Sequence, residues 1–269
     1  MTRWALLLEY DGRPFVGWQR QATGLSIQEV LENAAARLNA GAPVASIVAG
    51  RTDAGVHATG QVAHIDLLPD HQPRAVRDAL NFHMKPHPVV VLRAVAVPQD
   101  WSARFSANLR VYRYRILNRR SRPALDAGRV WHVAAPLDAA AMHEAAQRLI
   151  GRHDFSSFRA ASCQANSPVR TLARLDVVRC HDIIEIAAVA RSFLHHQVRN
   201  FAGTLKQIGE GRWPVEHITT ILNTRDRAAA GPTAPPEGLT LVGVGYPKSP
   251  FQDHEPSITA SAASVIPIA

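Results

Sequence analysis

This chain has little that suits redox or metal chemistry. Only two of its 269 residues are cysteines, Cys163 and Cys180. That excludes a disulfide framework and makes a reduced, cytosolic location the expectation. Its 13 histidines form no HExxH, no CxxC accompanies them, and no other ligand spacing stands out, so no metal is expected. Neither a GxGxxG nor a GxxxxGKS/T loop occurs, which argues against a nucleotide cofactor. No serine or cysteine nucleophile motif is found. No apolar run reaches the ~18 residues of a membrane span, so no membrane partner is expected. The apolar stretch within Met1–Glu9 is too short for a signal peptide and reads as a strand.

Negative charge is also scarce. Thirty Lys and Arg, mostly Arg, face 22 Asp and Glu, a formal net charge of +8. Residues 249–269 carry Asp253 and Glu255 and no Lys or Arg, which leaves +10 on residues 1–248. A basic, arginine-rich body suits a polyanionic partner, because the planar guanidinium matches phosphate and stacks on bases.

The hydrophobic pattern mixes strands and helices without strict alternation. Strands are expected at 4–10, on both sides of residues 50–60, at 89–97, 111–117, 172–179, 183–190 and 238–246. Helices are expected at 26–38 behind a Ser26/Glu29 capping box, at 74–82, from a cap at Asp138 to 150, at 193–208, and at 215–223. This favours an α+β fold with mainly antiparallel sheets flanked by helices. The expected division is 1–103, 104–248, and a flexible tail 249–269.

The most informative run is Gly50-Arg51-Thr52-Asp53-Ala54-Gly55-Val56-His57-Ala58-Thr59-Gly60-Gln61. Its three glycines imply a tight, close-approach loop, and strand-like flanks put Asp53 at a strand end, where a scaffold can present a reactive carboxylate. An ordinary turn aspartate would cap the loop and pair with Arg51. The flanking cation, the glycines and the length of the pattern favour a functional site instead.

Seven arginines fall between Arg104 and Arg122, interleaved with Tyr112 and Tyr114. On a strand, Tyr112, Tyr114 and Ile116 share one face, and Arg113 and Arg115 the other. An aromatic face beside arginines suits single-stranded or flipped-out RNA; a solvated arginine face over a tyrosine-lined core is the plainer alternative. Phe193–Phe201 reads as helical. Adjacent His195 and His196 would then diverge by about 100°, a capped or surface pair rather than two ligands of one metal.

Gly50–Val62 resembles the active-site motif of the tRNA pseudouridine synthase A family. The resemblance covers most of residues 4–247. It includes Glu9-Tyr10-Asp11-Gly12, Gly17–Gln21, Arg104-Phe105-Ser106-Ala107, Tyr112-Arg113-Tyr114, His153–Phe158, Phe193–His196, Val198-Arg199-Asn200 and Glu237-Gly238-Leu239. The chain departs from the pattern at Gln197, where Met is usual, at Thr240, where an aromatic is common, and at Lys85–Pro88.

The resemblance implies two similar α+β halves around a basic central cleft and a homodimer. The partner is tRNA and no cofactor is needed. The implied reaction is isomerisation of uridine to pseudouridine in the anticodon stem-loop, with base flipping. Asp53 is the implied nucleophile, attacking either C1′ or C6, with Arg199 as its cationic partner. Arg51 would assist flipping, and Tyr112 would stack on the uracil and take part in proton removal. Gln19, Arg20, Arg113 and His196 are implied substrate contacts. Two other readings compete, a non-catalytic RNA-binding protein and a hydrolase using Asp53 with histidines.

Overall fold

The computed structural model describes residues 1–68 and 70–251. In chain order the strands and helices are β1 (Thr2–Tyr10), α1 (Ile27–Leu38), β2 (Ser46–Val48), β3 (His57–Leu67), α2 (Pro73–His83), β4 (Val89–Val97), β5 (Leu109–Asn118), β6 (Trp131–Val133), α3 (Ala139–Gln147), β7 (Gly151–Asp154), β8 (Val169–Cys180), β9 (Ile183–Ala190), α4 (Gln197–Gly209), α5 (His217–Thr224) and β10 (Leu239–Gly245). Among the described residues no helix is long and apolar enough to cross a membrane. The mixed, mainly antiparallel α+β class is the one the pattern favours.

The chain forms two compact units. The first holds Met1–Arg110 and the described chain from Thr240; the second holds Val111–Leu239. The division thus falls inside β5, a few residues beyond the 103/104 boundary expected from sequence. Thr240 onward returns to the first unit through long-range pairing, which local patterns do not carry. Of the expected tail, Phe251 is buried and residues 252–269 lie outside the described residues.

In the first unit the strand order is β4-β1-β3-β10. β1 runs antiparallel to both β3 and β4, β2 is antiparallel to β3, and β10 pairs parallel with β3 at Thr240–His57 and Leu241–Ala58. Trp4 to Leu8 on β1 are buried on both faces of the sheet. Helix α1 begins where Ser26 accepts the Glu29 N–H at 3.1 Å, and it buries Ile27, Val30, Leu31, Ala34 and Ala35 at helical spacing. Asn81 of α2 covers the outer edge of β4. Its amide donates to the Val91 carbonyl at 2.9 Å and its carbonyl accepts the Val91 N–H at 2.7 Å, completing the backbone pairing an edge strand lacks.

In the second unit β8 and β9 form the expected hairpin, turning at His181 with φ 52°. β7 pairs with β8, and β6 runs parallel to β5. Asp138 caps α3, accepting the N–H groups of Ala140 and Ala141 at 2.9 and 3.0 Å. The helix stops at Gln147 rather than 150, and Gly151, at φ 107°, opens β7. Helix α4 is buried nearly all round. Phe155, Phe158 and Phe201 pack edge to face, with centroids 4.9–6.3 Å apart. The segment near Pro232 lies directly against α4. A Cβ on Gly203 would sit 1.7 Å from the Pro232 carbonyl oxygen, and Thr204 accepts the Gly231 N–H at 3.1 Å.

Gly203→Ala is therefore expected to destabilise the protein by about 3 kcal/mol, since backbone rather than a flexible side chain must move. Urea denaturation measures the loss.

Buried His64 on β3 accepts the Ala103 N–H through Nδ1 at 3.1 Å. Burial, then the charge of Arg3, holds its pKa below the ordinary 6.5, against the pull of Asp66. The unfolded chain binds that proton more readily, so stability is complete above pH ~6.5 and erodes as pH falls below it. Melting temperatures from pH 7.5 to 5 should fall less steeply for His64→Gln than for the wild type.

Candidate active site

The loop 50–56 joins β2 to β3, and first-unit residues fix it on several sides. Trp18 N–H donates to the Thr52 carbonyl at 3.0 Å, and Gly17 pairs with Asp53 as an isolated antiparallel bridge. Gly17 has φ 109°, and a Cβ there would lie 2.7 Å from the Thr52 oxygen. A Cβ on Gly12 would lie 2.1 Å from the Val56 oxygen. Only glycine permits both approaches. Within the loop, Val56 N–H returns to the Asp53 carbonyl at 3.1 Å, and Gly55 takes φ 76°. Gly60 lets β10 approach, because its Cβ would meet the Val242 oxygen at 2.3 Å.

A buried polar network supports the loop from beneath. The Gln61 amide donates to the Gly50 carbonyl at 2.8 Å and to the Tyr10 hydroxyl at 3.1 Å. The Tyr10 hydroxyl shares a further hydrogen bond with Thr52 Oγ1, 2.8 Å away. Burial pushes the Tyr10 phenol up to about 12, so it remains a donor across the physiological range. Arg110 holds the entry to the loop. One guanidinium nitrogen donates to the carbonyls of Ala49 at 2.6 Å and Arg104 at 3.1 Å, the other to that of Ala107 at 3.2 Å.

Asp53 stands half-exposed on this frame. Arg51 is exposed, and its guanidinium makes no hydrogen bond or ion pair among the described residues. It does not cap the loop by pairing with Asp53. Gln19 is exposed, and Arg20 faces Glu32 at 3.3 Å and Glu29 at 3.7 Å.

The second unit holds the remaining candidates. β5 alternates as expected, with Tyr112, Tyr114 and Ile116 buried and Arg113 and Arg115 half-buried. Tyr112 is 9% exposed and meets the Phe193 ring edge to face, with centroids 5.3 Å apart. Tyr114 donates to the Pro235 carbonyl at 2.8 Å, and burial, then the Glu237 charge, raises its pKa despite Arg199. Arg113 Nε is buried without a hydrogen-bond partner. Arg115 lies 3.3 Å from Asp126 and 3.9 Å from Glu185. Arg199 sits on the first turns of α4 and donates from Nε to the Ala234 carbonyl at 2.8 Å.

The helix expected from Phe193 starts only at Gln197. His195 and His196 form the turn before it, His196 at φ 63°, with ring centroids 3.9 Å apart rather than diverging as helical neighbours. Two features stop the helix from extending backward. The left-handed His196 breaks it, and Gln197, 1% exposed, accepts the Leu194 N–H at 2.8 Å. The buried polar side chain at this unusual position is thus satisfied by the turn it holds.

Sequence reading missed Tyr10, Thr52, Gln61 and Arg110 as supports. Arg110 was legible in part. It lies two residues before Tyr112 on β5, on the same, inward face.

Comparison with known proteins shows the family. A family model described as tRNA pseudouridine synthase matches residues 7–106 and 145–247. A protein of Acidiphilium cryptum named tRNA pseudouridine synthase A is 67% identical over 252 residues, covering 93% of this chain and 99% of its own length. Proteins of the same name from Rhodospirillum centenum and Gluconobacter oxydans are 59% and 56% identical. They cover 91% and 93% of this chain, and 100% and 92% of their own lengths. The matched segments include the braced Asp53 loop, the Arg104–Ser106 turn and Arg199, and on these grounds the chain belongs to the tRNA pseudouridine synthase family.

Proposed function

We propose that this protein isomerises uridine to pseudouridine in the anticodon stem-loop of tRNA, with Asp53 as nucleophile. The observation that carries the reading is the Asp53 loop: a half-exposed carboxylate on a backbone fixed by two glycine approaches and a buried hydrogen-bond network. A nucleophile held in that way loses little freedom when it attacks, which lowers the barrier. The overall change breaks the N1–C1′ bond and forms C5–C1′; the C5 hydrogen leaves as a proton and N1 gains one. Oxidant and reductant are unnecessary, which is consistent with a chemistry that needs no cofactor.

Asp53 must be ionised to attack C1′ or C6, and Arg199 is the cation proposed to keep it so. Arg51, with no carboxylate partner among the described residues, is proposed to enter the space the flipped nucleotide leaves. Tyr112 is proposed to stack on the uracil and take part in removing the C5 proton. Gln19, Arg20, Arg113 and His196 are proposed contacts to the tRNA. The protein is proposed to act in the cytoplasm as a homodimer.

Tritium release from tRNA labelled at uridine C5, run in EDTA, tests the chemistry directly. Asp53→Asn keeps the size of the side chain and removes the nucleophile. It should abolish release while tRNA affinity stays within about three-fold, a small change beside the loss of several phosphate contacts. Release near the wild-type rate would refute the assignment of Asp53.

Binding of tRNA should weaken steeply with salt, by roughly 10³-fold between 50 and 200 mM if about six phosphates are neutralised. Filter binding across that range measures the slope. A flat profile would refute a phosphate-led interface.

A further inference from the structure

Phe105 is 79% exposed, and among large apolar side chains of the described residues only Leu125 is more so. It does not ride on a loose loop. Ser102 N–H donates to Ser106 Oγ at 3.0 Å and Ser106 N–H to the Ser102 carbonyl at 3.0 Å, closing the turn on itself. Ala103, two residues before Phe105, is held at both backbone groups. His64 accepts its N–H at 3.1 Å, and the Tyr246 hydroxyl donates to its carbonyl at 2.8 Å. Buried Arg110 ties the Arg104 carbonyl to that of Ala49, the residue that leads into the Asp53 loop. A backbone this constrained fixes an aromatic ring in water, which is unfavourable unless something covers it.

The Arg104 guanidinium lies 5.4 Å from the Phe105 ring centroid. It makes no hydrogen bond or ion pair among the described residues. The guanidinium lies over one face of the ring, so the pair offers the other face together with a cation that no described carboxylate pairs. That combination fits an unstacked nucleobase with its phosphate, since every base has a π-face and a charged backbone. Phe82, the other exposed phenylalanine, has His83 rather than a cation against its ring.

The geometry points to Phe105 and Arg104 as a stacking platform for an unpaired base of the RNA substrate, held in fixed register with the Asp53 loop through Arg110. The platform rests on the RNA-modifying reading above. It adds a specific contact for a base other than the one that reacts, because the platform is braced to the stem of the loop rather than to Asp53 itself.

The test is the affinity of the full-length protein for an unmodified anticodon stem-loop RNA, measured by fluorescence anisotropy for the wild type and for Phe105→Ala, Phe105→Leu and Phe105→Trp. Loss of one base stack should raise the Kd of Phe105→Ala by about 5- to 150-fold. Phe105→Trp should bind within about two-fold of the wild type, because indole stacks at least as well. Phe105→Leu should remain weak, since it restores apolar area without a π-face. Urea midpoints should not move, because the side chain is exposed.

Wild-type affinity for Phe105→Ala, or full rescue by leucine, would overturn the platform. So would conversion of a dimer to a monomer by Phe105→Ala in analytical ultracentrifugation, which would assign the ring to a second copy of the chain. Tritium release by the wild type is measured in parallel. Its absence would refute the isomerase reading and leave the affinity comparison to decide the platform by itself.

Discussion

The first unit depends on one buried hydrogen-bond network. Gln61, in β3, spans the Gly50 carbonyl and the Tyr10 hydroxyl, and Tyr10, at the end of β1, reaches Thr52. Two neighbouring strands thereby grip the turn at Gly50 and Thr52, just before Asp53. In a dry interior each of these groups would be costly to leave unsatisfied, so the three residues hold one another in a single arrangement. A carboxylate proposed as a nucleophile gains from such support, because the surrounding protein cannot relax to let it wander. The half-exposed residue is positioned by buried ones.

Glycines complete the same constraint from outside. Gly12 and Gly17 bring their backbone against Val56 and Thr52 so closely that no side chain fits, and Gly60 does the same for β10. The N-terminal segment packs on the loop and the last strand on β3, which follows it, although more than two hundred residues separate the two in sequence. The first unit is thus completed by β10, and a division read along the chain must miss that return.

Much of this was legible in the sequence. Strand alternation put Tyr112, Tyr114 and Ile116 on the buried face, and the Ser26 and Asp138 caps marked real helix starts. Long-range closures were not legible. The Gly203–Pro232 contact and the Gln61–Tyr10 bond depend on which segments meet, and local propensity carries no such information. The start of α4 was misread because Phe193–His196 continue its apolar spacing. One left-handed residue and one side-chain acceptor, Gln197, override that spacing. The Asp53 loop itself was the clearest signal, because three glycines, an Asp, an Arg and a His in twelve residues have few structural explanations.

The arginines show why net charge is a weak guide to a binding surface until each guanidinium is placed. Arg110 is buried and satisfies main-chain carbonyls, Arg3 forms a bidentate pair with Asp66, and Arg115 and Arg119 face carboxylates. None of these has its charge free for phosphate. Arg51, Arg104, Arg120 and Arg122 are exposed and make no ion pair among the described residues. The first two belong to the Asp53 loop and to the turn that Arg110 ties to the residue leading into it. A positive surface of this kind is defined by the arginines the described fold leaves unpaired, and a polyanionic backbone supplies the interaction that no described carboxylate does.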